Sequence, residues 1–100
     1  MEIKVGTIFR SSWGYDQTNI DFYEVTRVMK ASVEIRKIAG QQTTGDGWTG
    51  KVVPKPGEFI GEPMTKRLKN TYDGNPCIRI ESYAHAYLWN GKAEAFTAYA

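Results

Sequence analysis

The chain is poor in the residues that bind metals and form disulfides. Its 100 residues include one cysteine, Cys77, and one histidine, His85. A lone cysteine cannot close an intramolecular disulfide, and one cysteine with one histidine cannot supply the ligands of a tetrahedral zinc site. The sequence therefore predicts no metal site and favours a reducing compartment.

Long apolar runs are also missing. No stretch reaches the roughly 18 consecutive apolar residues of a membrane helix, and residues 1–6 lack the basic region and apolar core of a secretion signal. Both observations favour a cytoplasmic protein.

Neither sign of charge dominates. Thirteen Lys and Arg residues are interleaved with eleven Asp and Glu residues, which leaves a formal net charge of +2. This balance excludes a polycation and an acidic mimic of DNA. With 41% hydrophobic and 24% charged residues, the composition is typical of one globular domain spanning residues 1–100.

Catalytic and nucleotide-binding motifs are lacking as well. His85 is the residue type most often used in acid–base catalysis, but no spacing places Ser82 or Glu94 in a triad with it. The glycines of 45–50 lack the ending of a phosphate loop, and neither they nor 73–75 continue into a calcium loop. We therefore expect no enzymatic activity and no cofactor.

What the sequence does contain is a series of short segments in which apolar and polar residues alternate. Val33 with Ile35, and Ile78 with Ile80, are predicted to face a core. The alternation changes phase at 37–38, which a β-bulge or the end of a strand would explain.

The periodicity of a long helix is not found. We predict a mainly β fold, a small barrel or strongly bent antiparallel sheet of the SH3-like or OB-like kind. At most one or two short helices are expected, at 65–70 or 82–88.

A segment rich in glycine and proline extends from Gly40 to Gly57. It is predicted to be a long excursion with at most a short strand at 51–53, although a twisted extension of the neighbouring hairpin would also fit. Trp48 in its middle is interpreted either as a plug over the core or as an exposed binding anchor.

The clearest turn signal is Asn90-Gly91, because both residues tolerate the positive φ angles of a type I′ turn. It predicts a hairpin in which Tyr87 pairs with Glu94. One face of the first strand would be small and aliphatic, and the other would be aromatic. The aromatic face comprises Tyr83, His85, Tyr87 and Trp89.

We favour a core or a dimer interface as the role of this aromatic face. The alternative is a stacking platform for single-stranded nucleic acid. A platform needs cations nearby, which a basic strand at 64–68 would supply if it paired with the strand that begins at Cys77. The cations concerned are Lys66, Arg67, Lys69, Arg79 and Lys92.

The polar and aromatic loop Trp13–Asn19 is the best candidate for a functional surface. In a structural role, Trp13 and Tyr15 close one end of a barrel. Asp16 and Asn19 then cap the turn through their own side chains. In a functional role, part of the loop faces outward and contacts a partner. We interpret Trp13 as buried, and the contacting side chains as Tyr15, Gln17 and Asn19.

The segment Ser12–Val25, SWGYDQTNIDFYEV, resembles a family of small uncharacterised proteins of phages and other mobile elements. Pro56–Gly61 and Tyr87–Lys92 are similar to other parts of that family, so the resemblance spans nearly the whole chain. It implies a bacterial cytoplasm during phage or plasmid life, where compact proteins often bind a nucleic acid or block a host protein.

These observations predict a non-enzymatic binding module. We expect a host or phage protein as its partner, contacted through the Trp13–Asn19 loop, because the net charge is low. The alternative is a small single-stranded nucleic-acid-binding protein that uses the aromatic face and the nearby cations. Strand edges also allow a homodimer.

Overall fold

The computed structural model describes residues 3–13, 19–45, 49–70, 75–81 and 84–97. All regular elements within these ranges are strands, so the predicted mainly β class is confirmed. The nine strands are β1 (Ile8–Trp13), β2 (Asn19–Val28), β3 (Ser32–Gly45), β4 (Thr49–Phe59), β5 (Met64–Arg67), β6 (Lys69–Asn70), β7 (Pro76–Glu81), β8 (Ala84–Leu88) and β9 (Glu94–Thr97). The segments considered as short helices contain β5, β6 and β8 instead.

The strands form one antiparallel sheet in the order β6-β7-β8-β1-β2-β3-β4-β9, and β5 also pairs with β3. The sheet curls strongly into a half-barrel, which brings β5 close to β7. Lys66 Nζ donates a hydrogen bond across this gap to the carbonyl oxygen of Ile80, at 3.3 Å. Only Leu68 separates β5 from β6, so this short segment of chain contributes one strand to each side of the opening in the half-barrel.

The main core lies on the inner side of the curled sheet. Val33, Ile35, Ile78 and Ile80 are buried there, as their alternation with polar residues predicts. The buried cluster consists of Phe9, Tyr23, Val25, Val33, Ile35, Ile78, Ile80, Ala84 and Ala86. β8 therefore turns its alanines inward and its odd-numbered side chains outward.

A second apolar cluster covers part of the outer face. Ile38 lies opposite Phe22 in the β2–β3 ladder, and both side chains are buried. The Trp89 ring packs edge-on against Phe22, with 6.2 Å between centroids. The pairing of β3 with β2 runs without a shift from Ile35 to Ile38. The β2–β3 ladder therefore has neither a bulge nor a strand end at 37–38, and the phase change marks burial on the other face; the β3–β4 ladder has a register shift that begins at Ile38.

The Gly40–Gly57 excursion is mostly strand. β3 and β4 form a long hairpin, so the twisted extension is the correct alternative, while residues 46–48, including Trp48, lie outside the described residues. The register on β4 jumps from Pro54 to Phe59, which makes residues 55–58 an insertion in the ladder. Gly57, at a φ of +83°, donates its backbone N–H to Glu24 Oε1 at 2.8 Å.

The hairpin predicted at Asn90-Gly91 does not form. β8 is paired on one side with β7 and on the other with β1, so neither edge is open to β9. β9 pairs with β4 instead. Gly91 has a φ of +84°, but Asn90 has no positive φ, as a type I′ turn would require. The predicted pairing of Tyr87 with Glu94 is wrong, although the two faces of β8 are assigned correctly.

Candidate functional site

One row of facing residues crosses the outer side of the sheet. Residues opposite each other on paired strands share a face, so the strand registers define the row directly. From β6 to β4 the row reads Lys69, Cys77, Tyr87, Arg10, Phe22, Ile38 and Phe59. Its middle is covered, because Phe22 and Ile38 are buried. In the part on β6, β7 and β8, Lys69 and Tyr87 are exposed and Cys77 between them is buried.

Two aromatic side chains stand next to each other on the uncovered part. Tyr87 is 40% exposed, and His85, two residues earlier on β8, is exposed too. Arg79 of β7 lies directly opposite His85 and is exposed. We call Lys69, Arg79, His85 and Tyr87 the outer β7–β8 surface. A core role is therefore wrong for His85 and Tyr87, whose rings face outward.

Among the side chains that the structure describes, the ion pairs are Arg10–Glu94, Lys37–Asp21 and Lys55–Glu58. Neither Lys69 nor Arg79 takes part in any of them. As far as the described side chains go, both charges are available to an anion brought to the outer β7–β8 surface.

The basic strand is placed differently from the prediction. β5 pairs with β3, and only Lys69 of β6 lies opposite Cys77. Lys66 faces Val33 on the inner side, and its ammonium group bonds to the carbonyl of Ile80. Arg67 is exposed, opposite Ser32 of β3. Lys66 and Arg67 therefore do not join the aromatic residues of β8.

Trp89, a further member of the predicted aromatic face, belongs to the second apolar cluster instead. Trp89 is half-buried, and its Nε1 donates a hydrogen bond to the carbonyl oxygen of Lys92 at 2.7 Å. This contact and the packing on Phe22 fix Trp89 as part of the second apolar cluster. Tyr83 lies outside the described residues.

The Trp13–Asn19 loop is defined at its two ends. Trp13 and Asn19 form the last pair of the β1–β2 ladder, and Asn19 is half-buried. Residues 14–18 lie outside the described residues, so the predictions for Tyr15, Asp16 and Gln17 stay predictions.

Sequence reasoning missed an ion pair next to the outer β7–β8 surface. Arg10 lies opposite Tyr87 on β1, and its Nε is 2.6 Å from Glu94 Oε1 on β9. No local signal joins these residues, which are 84 positions apart, because the contact depends on where β9 crosses the sheet.

The described residues hold no group of three or more His, Cys, Asp and Glu side chains arranged to bind a metal ion. Among the same residues, none belongs to a helix long and apolar enough to cross a membrane. No protein-family model matches the chain, and no curated protein or solved structure shows significant similarity to it.

Proposed function

We propose that this chain is a non-enzymatic binding module that holds a short single-stranded nucleic acid on its outer β7–β8 surface. One observation carries the proposal: Tyr87 and His85 are exposed in consecutive outward positions of β8, beside the exposed cation of Arg79. Flat rings on a sheet, flanked by cations, suit unstacked bases and the phosphates that join them.

The spacing of the two rings fits neighbouring bases. Outward positions on one strand are about 6.6 Å apart, which places His85 and Tyr87 at the separation of two extended nucleotides. Every base has a π-face, so such a site binds many sequences. We therefore expect weak dependence on base identity.

The positions of the cations suit the backbone of the strand. Arg79 lies next to His85, and Lys69 lies two strands from Tyr87, about 9.5 Å away. The net charge of +2 is low for a nucleic-acid-binding protein. The attraction is therefore local, and we expect two phosphates to be neutralised rather than many.

The proposal is tested by titrating labelled 12-mers of oligo(dT) and oligo(U) and following fluorescence anisotropy. Tyr87→Ala should weaken binding by about 1–3 kcal/mol, roughly 5- to 150-fold, because a stacking surface is lost. Phe59→Ala is the matched control, since Phe59 is 36% exposed but lies at the far end of the row. It should bind like the wild type.

Salt provides a second readout. With two phosphates neutralised, log affinity should fall by about 1.4 per tenfold increase in salt. Arg79→Gln should reduce that slope by about 0.7. Absence of binding by the folded wild type at low salt would refute the proposal.

A second candidate is contact with a host or phage protein through the Trp13–Asn19 loop. The pairing of Trp13 with Asn19 favours it, because this pair places the loop at the tip of the β1–β2 hairpin. A pull-down with the wild type and a Tyr15→Ala, Gln17→Ala double variant tests this mode. A partner lost only in the double variant supports it, and insensitivity to salt separates it from nucleic-acid binding.

For the setting, we propose a phage or other mobile element and the cytoplasm of its bacterial host. The resemblance of the Ser12–Val25 segment supports this setting. A homodimer formed through a strand edge or through the exposed rings of β8 is compatible with it.

A further inference from the structure

Arg10 has the position of a third cation for the outer β7–β8 surface. It lies on β1, directly opposite Tyr87, and shares the outward face of that ring. Its side chain is 33% exposed. A phosphate next to a base stacked on Tyr87 would be within reach of a guanidinium group in this position.

The guanidinium group of Arg10 is already paired with the carboxylate of Glu94. The Glu94 side chain is 16% exposed, and its Oε1 lies 2.6 Å from Arg10 Nε. Oε1 is buried, and the guanidinium group of Arg10 is the charge that compensates the carboxylate.

We propose that Glu94 is an internal competitor that keeps Arg10 from the nucleic-acid phosphate and so sets the affinity of the site. This inference rests on the proposed function. Carboxylate and phosphate bind the same N–H groups of a guanidinium, so one displaces the other. In the wild type, only Lys69 and Arg79 neutralise phosphates. Removal of the Glu94 charge makes Arg10 available as a third cation.

The first measurement compares Glu94→Gln with the wild type on the same labelled 12-mers. The amide keeps the size of the side chain and removes its charge. Affinity should rise several-fold, and the slope of log affinity against log salt should steepen by about 0.7, as expected for one further phosphate on a single strand.

Glu62→Gln is the matched control. It changes the net charge by the same amount at an exposed carboxylate between β4 and β5. It should leave the slope unchanged. An equal effect of the two substitutions would overturn the proposal, because the gain would then come from overall charge.

A double-mutant cycle identifies Arg10 as the group released. Arg10→Gln alone should not raise wild-type affinity, because it leaves the Glu94 carboxylate without its compensating charge. The Arg10→Gln, Glu94→Gln variant should lose the whole gain of Glu94→Gln. A gain that persists in the double variant would contradict the competition.

The outcomes separate this inference from the proposed function. If the wild type binds and Glu94→Gln binds with the same affinity and slope, only the inference fails. If neither protein binds either oligonucleotide, both fail. Circular dichroism checks the fold of each variant. If Glu94→Gln does not fold, the folded Arg10→Gln, Glu94→Gln variant decides: it should bind like the wild type, and a loss beyond fivefold would show that Arg10 already contributes to binding in the wild type.

Discussion

At the scale of single residues, Ser11 is a buried polar side chain. It is 1% exposed, between Ala86 of β8 and Asp21 of β2, and its Oγ has no hydrogen-bond partner among the described residues. Burial of a hydroxyl group without a partner costs free energy that an alanine does not lose.

Ser11→Ala should therefore raise the free energy of unfolding, by about 1 kcal/mol. Ser12→Ala, at the exposed neighbouring position, should change it by less than about 0.5 kcal/mol. Urea unfolding followed by tryptophan fluorescence measures both. A Ser11→Ala variant less stable than Ser12→Ala would show that the hydroxyl is stabilised in the native state.

The burial of single side chains could be predicted where only one face of a strand is buried. The inward direction of Val33 and Ile78 follows from alternation, because the core lies on one side of the sheet. Ile38 departs from this pattern because it is buried on the outer face, opposite Phe22, against which the distant Trp89 packs. Alternation predicts that a side chain is buried, but it does not predict which distant segment covers that side chain.

At the scale of the elements, the strands differ in how firmly they are held. β2 lies between β1 and β3 and is paired with both. β9 pairs with β4 over four residues, and β6 pairs with β7 over two. Hydrogen bonds at the ends of a sheet open without disrupting its centre.

Hydrogen exchange should follow this order. Backbone amides of Phe22 and Val25 in β2 should exchange only on global unfolding, whereas those of β9 and β6 should exchange through local opening. Exchange rates measured by NMR and corrected for intrinsic rates test the difference. Protection of β9 equal to that of β2 would contradict it and would indicate that β9 opens only with the whole sheet.

The pairing of elements was harder to predict than their existence. Asn90-Gly91 has the chemistry of a tight hairpin, yet β8 uses both of its edges for β7 and β1. Turn propensity is local, whereas the choice of neighbours depends on every other strand. The candidate site shows the same limit: the aromatic face of β8 with Lys69 and Arg79 nearby could be predicted, but not that β5 would place Lys66 and Arg67 beside β3.

At the scale of the whole molecule, the sheet joins segments that are far apart in the chain. β1 pairs with β8, and β4 pairs with β9. Folding of such a topology is slowed, because long loops must close before these contacts form.

Refolding should therefore take from milliseconds to seconds, the range of β proteins dominated by non-local pairing. Stopped-flow dilution from urea, monitored by tryptophan fluorescence, provides the rate. Refolding within microseconds would contradict the topology, since that speed is typical of proteins with local contacts.

The separation of β4 and β9 along the chain also has a consequence during translation. β4 ends at Phe59 and β9 begins at Glu94, so a ribosome must translate more than thirty further codons before β9 can cover the edge of the β3–β4 hairpin. During that interval the hairpin has an unpaired edge, which is a site for association between nascent chains on one polysome. High rates of translation should therefore favour inclusion bodies.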